Sequence, residues 1–470
     1  MIAQSPTPAS VSPLMIAPFV LLLLSIAIAP FINRRWWEEY YPAVSLSLAV
    51  VTILHYCVLT DRAVSMLHTA SEYLSFIALI GSLYVVSGGI LIRIRGKSTP
   101  LTNIFLLTTG GIISNVLGTT GASMILIRPY LRVNRYRLRG FHVIFFIFVV
   151  SNIGGALTPV GDPPLFLGYL KEIPFFWVLE NAWPVWAMTL GIVLGIFLLL
   201  DWASFRAHEA SRHTRPAELH EEAEVKGIHN VFFLSLILVS VFIRRPPFVR
   251  ELIMAIAAAG SYYSTSKEIH RRNDFNFLPV REVAILFFGI FATMVPALDW
   301  LEMNAPSLGI KTAGQFYWGT GMLSGVLDNA PTYLNFLSAA AGLFVDDGRV
   351  FEIQRLLAAP NTPAAPDILN TVSSLMVNRP DLVAGGAISA DTLRTFYLLA
   401  NHGIYIKAIS IAAVFFGAMT YIGNGPNFMV KSIAEQSGGK CPSFFGYIFK
   451  FSIPVLLPVF FLVWLLFFRT

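Results

Sequence analysis

Long apolar runs separated by short polar stretches dominate the chain. Runs near 15–32, 42–60, 73–92, 141–170, 184–203, 229–243, 248–265, 282–300, 396–430 and 449–468 each predict a membrane-spanning helix. A span needs about 20 mainly apolar residues. Two further runs, 101–127 and 313–340, are broken in the middle by small and polar residues. The first has Ser114-Asn115-Val116-Leu117-Gly118-Thr119-Thr120-Gly121 at its centre.

Charge sets the expected topology. Arg93, Arg95 and Lys97 precede run 101–127, and Arg128, Arg132, Arg135, Arg137 and Arg139 follow it. Basic flanks stay on the cytoplasmic side. With both ends on one side, the segment does not cross and reads as a re-entrant hairpin. Irregular backbone at its tip needs protein or water around it. Run 313–340 leads into an acidic, Pro- and Gly-containing loop, 341–395, which reads as external. The second hairpin therefore enters from outside. The mixed-charge stretch 204–228 reads as a cytoplasmic linker between an N-terminal half, 1–203, and a C-terminal half, 229–470. Five spans in each half force opposite orientations, the plan of an inverted repeat. Only Arg244-Arg245, placed outside by this topology, fits it poorly.

The expected fold is thus an all-α integral membrane protein. It has about ten transmembrane helices plus two re-entrant hairpins, in two inverted repeats that each contain a broken helix. Composition agrees: 55% of residues are hydrophobic and 13% charged, against about 25% charged in soluble domains. The net charge of +6 lies in short loops between apolar runs, so nucleic acid is not an expected partner. Cys57 and Cys441 are far apart and form no metal or redox motif. No basic residue precedes the first apolar run, which reads as a retained span rather than a signal peptide. Trp36-Trp37 and Tyr40-Tyr41 read as interface anchors.

The duplication shows in residues. Gly111-Ile-Ile-Ser-Asn-Val-Leu-Gly-Thr aligns with Gly321-Met-Leu-Ser-Gly-Val-Leu-Asp-Asn, sharing Gly111/Gly321, Ser114/Ser324, Val116/Val326 and Leu117/Leu327. Gly155-Ala-Leu-Thr-Pro-Val-Gly-Asp-Pro-Pro-Leu-Phe aligns with Gly417-Ala-Met-Thr-Tyr-Ile-Gly-Asn-Gly-Pro-Asn-Phe. The shared pairs are Gly155/Gly417, Ala156/Ala418, Thr158/Thr420, Gly161/Gly423, Pro164/Pro426 and Phe166/Phe428. The Gly-Asp-Pro-Pro and Gly-Asn-Gly-Pro stretches must break their helices. A break in mid-membrane frees carbonyls and amides, which with Thr and Asp oxygens can cage a small cation.

Asp162 and Asp328 lie inside these broken elements. A carboxylate at the bilayer centre costs about 2.5–3.5 kcal/mol on insertion scales, and cation or proton binding offsets such a cost. The competing reading is an Asp that caps a half-helix or pairs with a lysine such as Lys407, which itself can simply snorkel. Ser114, Asn115, Thr119, Thr120, Thr158, Ser324, Asn329, Thr332, Thr420, Asn424 and Asn427 are candidate ligands, or else satisfy freed backbone groups. Glu282, beside Arg281, reads as an interfacial ion pair. Asp299 and Glu302 read as solvated, and His142 and His402 as structural.

At the motif level the chain resembles the ion transporter superfamily. That group includes NhaD-type sodium/proton antiporters, arsenite-pump subunits and citrate or dicarboxylate transporters. Ser151-Asn-Ile-Gly-Gly-Ala-Leu-Thr-Pro-Val-Gly-Asp-Pro-Pro164 looks like the antiporter branch's Asn-x-Gly-Gly-Ala-x-(Ser/Thr)-Pro-x-Gly-Asp signature. Leu327-Asp328-Asn329-Ala330-Pro331-Thr332 looks like its Asp-Asn-x-Pro motif. The resemblance implies a scaffold part, a mobile transport part carrying the hairpins and broken helices, a mid-membrane substrate and an elevator-like alternation. Dicarboxylate members carry Ser-Asn-Thr at both hairpin tips, where this chain has Ser114-Asn115-Val116 and Ser324-Gly325-Val326.

The leading expectation is a sodium (cation)/proton antiporter, with Asp162 and Asp328 alternating between sodium and proton and Lys407 as a coupling partner. The alternative is sodium- or proton-coupled citrate or dicarboxylate transport, with Lys407, Asn424 and Asn427 near the anion. Two carboxylates disfavour a multiply charged anion unless a cation sits between. No Walker loop, His-Glu-x-x-His or Gly-x-Ser-x-Gly motif occurs, so no enzyme activity is expected. The expected setting is the inner or plasma membrane. The expected partners are the lipid bilayer, a small cation or carboxylate and a second copy as a homodimer. No organic cofactor is expected, only the transported sodium ion and proton.

Overall fold

The computed structural model describes residues 12–59, 63–93, 98–210, 224–243, 245–360, 362–385 and 388–469. Arg95, Lys97, Arg244, the start of the N-terminal segment and most of the linker 204–228 lie outside the described residues. The described chain is almost entirely helical. In order come α1 (Ala17–Ile32), α2 (Arg34–Leu54), α3 (Ala63–Gly88), α4 (Pro100–Asn134), α5 (Gly140–Val149), α6 (Pro163–Leu170) and α7 (Trp177–Ala210). Next are α8 (Asn230–Ser240), α9 (Val249–Ser264), α10 (Lys267–Arg272), α11 (Leu278–Asn304), α12 (Ala313–Ser324) and α13 (Asn329–Phe344). Then follow α14 (Asp347–Ala358), α15 (Pro366–Asn378), α16 (Pro380–Gly385), α17 (Ala390–Asn401), α18 (Gly403–Phe416) and α19 (Gly425–Gln436). The last, α20 (Phe444–Tyr447), runs through a π-helical stretch into α21 (Leu457–Phe467). A short antiparallel ribbon pairs β1 (Leu91–Arg93) with β2 (Glu224–Lys226), in register Leu91 with Lys226.

Seven of these stretches are long and apolar enough to cross a membrane, eight if the bent pair α17–α18 is one span. The chain is a multi-pass membrane protein. The sequence predicts ten spans, and the difference has a physical cause. Runs 229–243 and 248–265 fold as helices of 11 and 16 residues. Runs 141–170 and 396–430 are interrupted by glycine and proline, which stop the hydrogen-bond ladder although the apolar character continues. At His402 the chain turns by 99°, so only α18 continues the second of these runs. Segment 341–395, expected as a loop, holds most of four short helices. In α15, Ile368, Thr371, Val372 and Leu375 are buried, the spacing of one helical face.

The seven include α4, which is not a straight rod. Asn103 and Asn134 lie 31 residues apart, about 46 Å along a continuous helix. Yet their side-chain amides exchange two hydrogen bonds, of 2.9 and 2.7 Å. The helix folds back at Gly118, whose φ of 74° suits glycine far better than other residues. α12 and α13 form a second hairpin, closed by residues 325–328. Phe316 and Phe336 stack edge to face across it at 6.2 Å.

Burial separates two sets of helices. Only 22–28% of the spanning windows of α1, α2, α7 and the 444–467 helix is buried within the chain. Their remaining apolar faces are the ones available to lipid. By contrast, residues 142–149 of α5 and 408–416 of α18 are buried throughout. These two broken-helix limbs form the centre, with the hairpins packed on them.

Candidate functional site

The site forms where both helix breaks meet both hairpin turns. After α5 the chain leaves α-helical geometry from Ser151 to Asp162, keeping only a 3-10 turn at Ile153–Gly155, and resumes at Pro163. After α18 it does the same from Gly417 to Asn424. Each break closes on itself. Gly161 N donates to Thr158 Oγ1 at 3.1 Å, and Gly423 N donates to Thr420 Oγ1 at 3.1 Å. Gly161 also packs against the backbone of Gly155 so closely that any Cβ would collide with the Gly155 carbonyl. Each hairpin is then pinned to a broken helix by its serine. Ser114 donates to Val150 O at 2.7 Å, and Ser324 to Ala413 O at 2.6 Å.

Asp162 is the centre. Thr119 Oγ1, at the turn of the first hairpin, donates to its Oδ1 at 2.7 Å. Asn424 Nδ2, from the second break, donates to the same oxygen at 2.9 Å. Asn329 Nδ2, from the second hairpin, donates to Oδ2 at 2.6 Å. Asp162 is 1% exposed. No Lys or Arg among the described residues forms an ion pair with it. The carboxylate is therefore held in the interior by three neutral donors alone, an arrangement that leaves its negative charge uncompensated.

The polar network continues behind it. Asn424 also donates to Ser151 O and Asn152 Oδ1, at 3.1 and 3.2 Å. Asn152 donates to Asn427 Oδ1 at 2.7 Å, and Asn427 donates to Gly417 O and Thr420 O. Asn329 Oδ1 is buried and has no hydrogen-bond partner. An orphan acceptor on the residue that holds the carboxylate fits a cation as ligand, with Thr119 Oγ1 as a further hard donor beside it. A cleft of about 30 Å³ lies beside Asp162, walled by Leu83, Thr119, Thr120, Val160 and Phe166. It has room for a water-sized body and none for a tricarboxylate.

The other residues named from sequence fall into two groups. Asn115 spends its amide on Gly154 O and Leu157 N, at 2.7 and 2.9 Å, while Thr158 donates to Asn115 O. With Ser114, Ser324 and Thr420 it satisfies backbone freed by the turns. Thr332 bonds back to Asp328 O at 2.9 Å. Asp328 caps α13, accepting from Ala330 N at 3.0 Å, and stands half-buried. Lys407 lies over the ring of Phe467, 5.4 Å from its centroid, and forms no ion pair with a described residue.

Several expectations outside the site change as well. Glu302 is not free in solvent but pairs with Arg394, and Asp299 accepts from Tyr56 at 3.2 Å. Arg281 and Glu282 are both exposed and make no ion pair with each other. His402, expected as structural, is no such change: it stacks on Phe344 at 4.0 Å.

Two groups escape the sequence reading. Asn152 links both breaks, and its signal was its place before Gly154-Gly155 in an apolar run. The second group is a buried cluster at the base of the first hairpin. Asp201, 0% exposed, receives Arg137, His142 Nε2 at 3.0 Å and Asn103 Nδ2 at 2.8 Å. A lone acid at the end of a long apolar run was its only sequence signal.

A family model described as "Putative citrate transport" matches residues 8–468, nearly the whole chain. A search of curated proteins finds no match.

Proposed function

The chain belongs to this citrate-transport family, and from that premise we propose that it is a cation-coupled secondary transporter of citrate or a related carboxylate, with Asp162 holding the coupling sodium ion or proton. One observation carries the reading: a buried carboxylate meets donors from both hairpins and the second helix break, with no cationic partner among the described residues. A proton or a bare cation neutralises it, while an anion alone is repelled. The coupling ion is the species that fits the small cleft. The organic anion needs a second arrangement of the hairpins, which alternating access supplies.

The proposal extends to the architecture. The paired motifs, the two serine pins and the two Thr–Gly turns support two inverted repeats with hairpins that re-enter the membrane. The basic flanks of α4 support a cytoplasmic side for its open end and an inner or plasma membrane setting.

Proteoliposomes carrying the protein test this. Labelled citrate uptake should rise when an inward sodium or proton gradient is imposed and should vanish in Asp162→Asn. A second reading, cation/proton antiport, is favoured by the absence of any described cationic side chain at the hub. In everted vesicles it predicts that sodium collapses a pH gradient without citrate. That result, with no citrate uptake under any gradient, would replace the first reading by the second.

A further inference from the structure

A second cavity lies away from Asp162, at the open end of the first hairpin. Its volume is about 470 Å³, within the range of small-molecule sites. Arg128, Arg132, Arg135, Arg272 and Lys440 line it, against a single carboxylate, Asp274. Three parts of the fold contribute: the second limb of α4 and the turn after it, the end of α10, and the loop that follows α19.

The charges in this cleft are poorly matched from within. Asp274 accepts from Arg128 Nη2 at 3.2 Å, yet Asp274 itself is largely exposed. Arg128 Nη1 is buried and has no hydrogen-bond partner. Arg272 is held by Glu268 and, at 3.7 Å, by Glu224. Arg135 lies over the ring of Tyr136, 4.7 Å from its centroid. Arg132 and Lys440 are exposed and form no ion pair with a described residue. The loop backbone offers little: Gly438 N and Gly439 N are used by Glu435 O and Ala434 O. Recognition in the cleft therefore falls to guanidinium forks and one ammonium, groups that match the oxygens of a phosphate.

We infer that this cleft binds a phosphate-bearing anion, bridging α4 and α19 on one side to α10 on the other. Converging cations in a concave site raise the local concentration of such an anion. Two sources present the same group: the headgroup of an anionic lipid, which basic pockets between helices hold on the cytoplasmic face, or a soluble phosphate compound. An occupant spanning this seam touches α4, which carries Thr119 of the Asp162 site, together with α10.

The test uses the full-length protein. In neutral detergent, its thermal midpoint is titrated with inorganic pyrophosphate at constant ionic strength. In parallel, it is reconstituted into nanodiscs of phosphatidylcholine with and without phosphatidylglycerol. A rise in midpoint with pyrophosphate identifies a soluble phosphate. A rise confined to phosphatidylglycerol discs identifies a lipid headgroup. In either arm, Arg132→Glu with Lys440→Glu should weaken the response about tenfold or more, the effect of losing charge-assisted bonds. Should that pair fail to fold, Arg132→Gln with Lys440→Gln removes charge at the same exposed positions. Lys267→Glu, an exposed charge change outside the cleft, should respond like the unaltered protein. No rise with either probe, an undiminished response in the double variants, or an equal loss in Lys267→Glu would overturn the inference.

Discussion

The carboxylate of Asp162 accepts a 2.9 Å hydrogen bond from the side-chain amide of Asn424, a residue 262 positions away that holds the matching place in the second helix break. The same motif position thus carries an acid in one break and its neutral amide in the other, and the two meet. Asp162→Asn should abolish coupled transport, with a loss of at least about tenfold expected from removing charge-assisted bonds. The protein should still fold, because Asn329 can turn its unpartnered Oδ1 toward the new amide. Transport assays and size-exclusion profiles on the same preparation check both halves of the expectation.

Asp328 should behave differently, because its carboxylate caps α13. Asparagine caps a helix as well as aspartate does. Asp328→Asn should therefore leave both thermal midpoint and transport close to those of the unaltered protein. Asp328→Ala should cost about 1 kcal/mol of stability. Loss of transport in Asp328→Asn with an unchanged midpoint would instead make Asp328 a second ion-binding acid.

The turn of the first hairpin rests on Gly118 at φ 74°. With ψ at 155° the backbone lies in a region essentially reserved for glycine, so an alanine there costs about 1–3 kcal/mol, and its Cβ sits 3.1 Å from Val160 O. Gly118→Ala should lower the thermal midpoint and displace Thr119 from Asp162, reducing transport. Gly309, in the left-handed region with open space around it, is a milder control: Gly309→Ala strains the backbone without touching the site.

Removing Asp201 should be among the most damaging single changes. Its carboxylate is the acceptor for Arg137, His142 and Asn103. Asp201→Ala strands a buried guanidinium, a change that costs about 3–5 kcal/mol. Yield and thermal midpoint of the purified protein report it, and a variant as stable as the unaltered protein would show that Arg137 finds another acceptor.

Acid should loosen segment 379–384 in a defined window. Hydrogen bonds from Arg379 hold the Asp381 carboxyl down at about 2, below its ordinary 3.8. A depressed carboxyl stabilises fully above its ordinary value and loses that contribution as pH falls through the folded one. Pepsin cleavage at 379–384 should therefore increase between about pH 4 and pH 2. In Arg379→Gln the carboxyl loses the bonds that depress it, so the segment should be cleaved more readily throughout and this acid-dependent increase should disappear.

Much of this site could be read from local sequence. The small and polar centre Ser114–Gly121 of an apolar run announced the turn of the first hairpin, and Gly-Asp-Pro-Pro announced the first break. Local signals were enough there because backbone freedom and the missing proline donor act on adjacent residues. The span count was less legible. Apolar character persists through a break, so summed hydrophobicity sees one long run where the hydrogen-bond ladder sees two short helices.

What the sequence determined by itself is the membrane setting, the helical class and the positions of the turns and breaks, since each follows from composition or from neighbours along the chain. What only the tertiary structure decided is which polar groups meet. Asp162 and Asp328 both lie in broken, Gly- or Pro-marked elements and look alike in sequence. They differ because three donors from distant elements converge on the first, while a backbone amide two residues away occupies the second. The Asp201 cluster, assembled from residues 98 and 64 positions apart, was hidden for the same reason. Long-range convergence leaves no mark on the local pattern of apolar and polar positions.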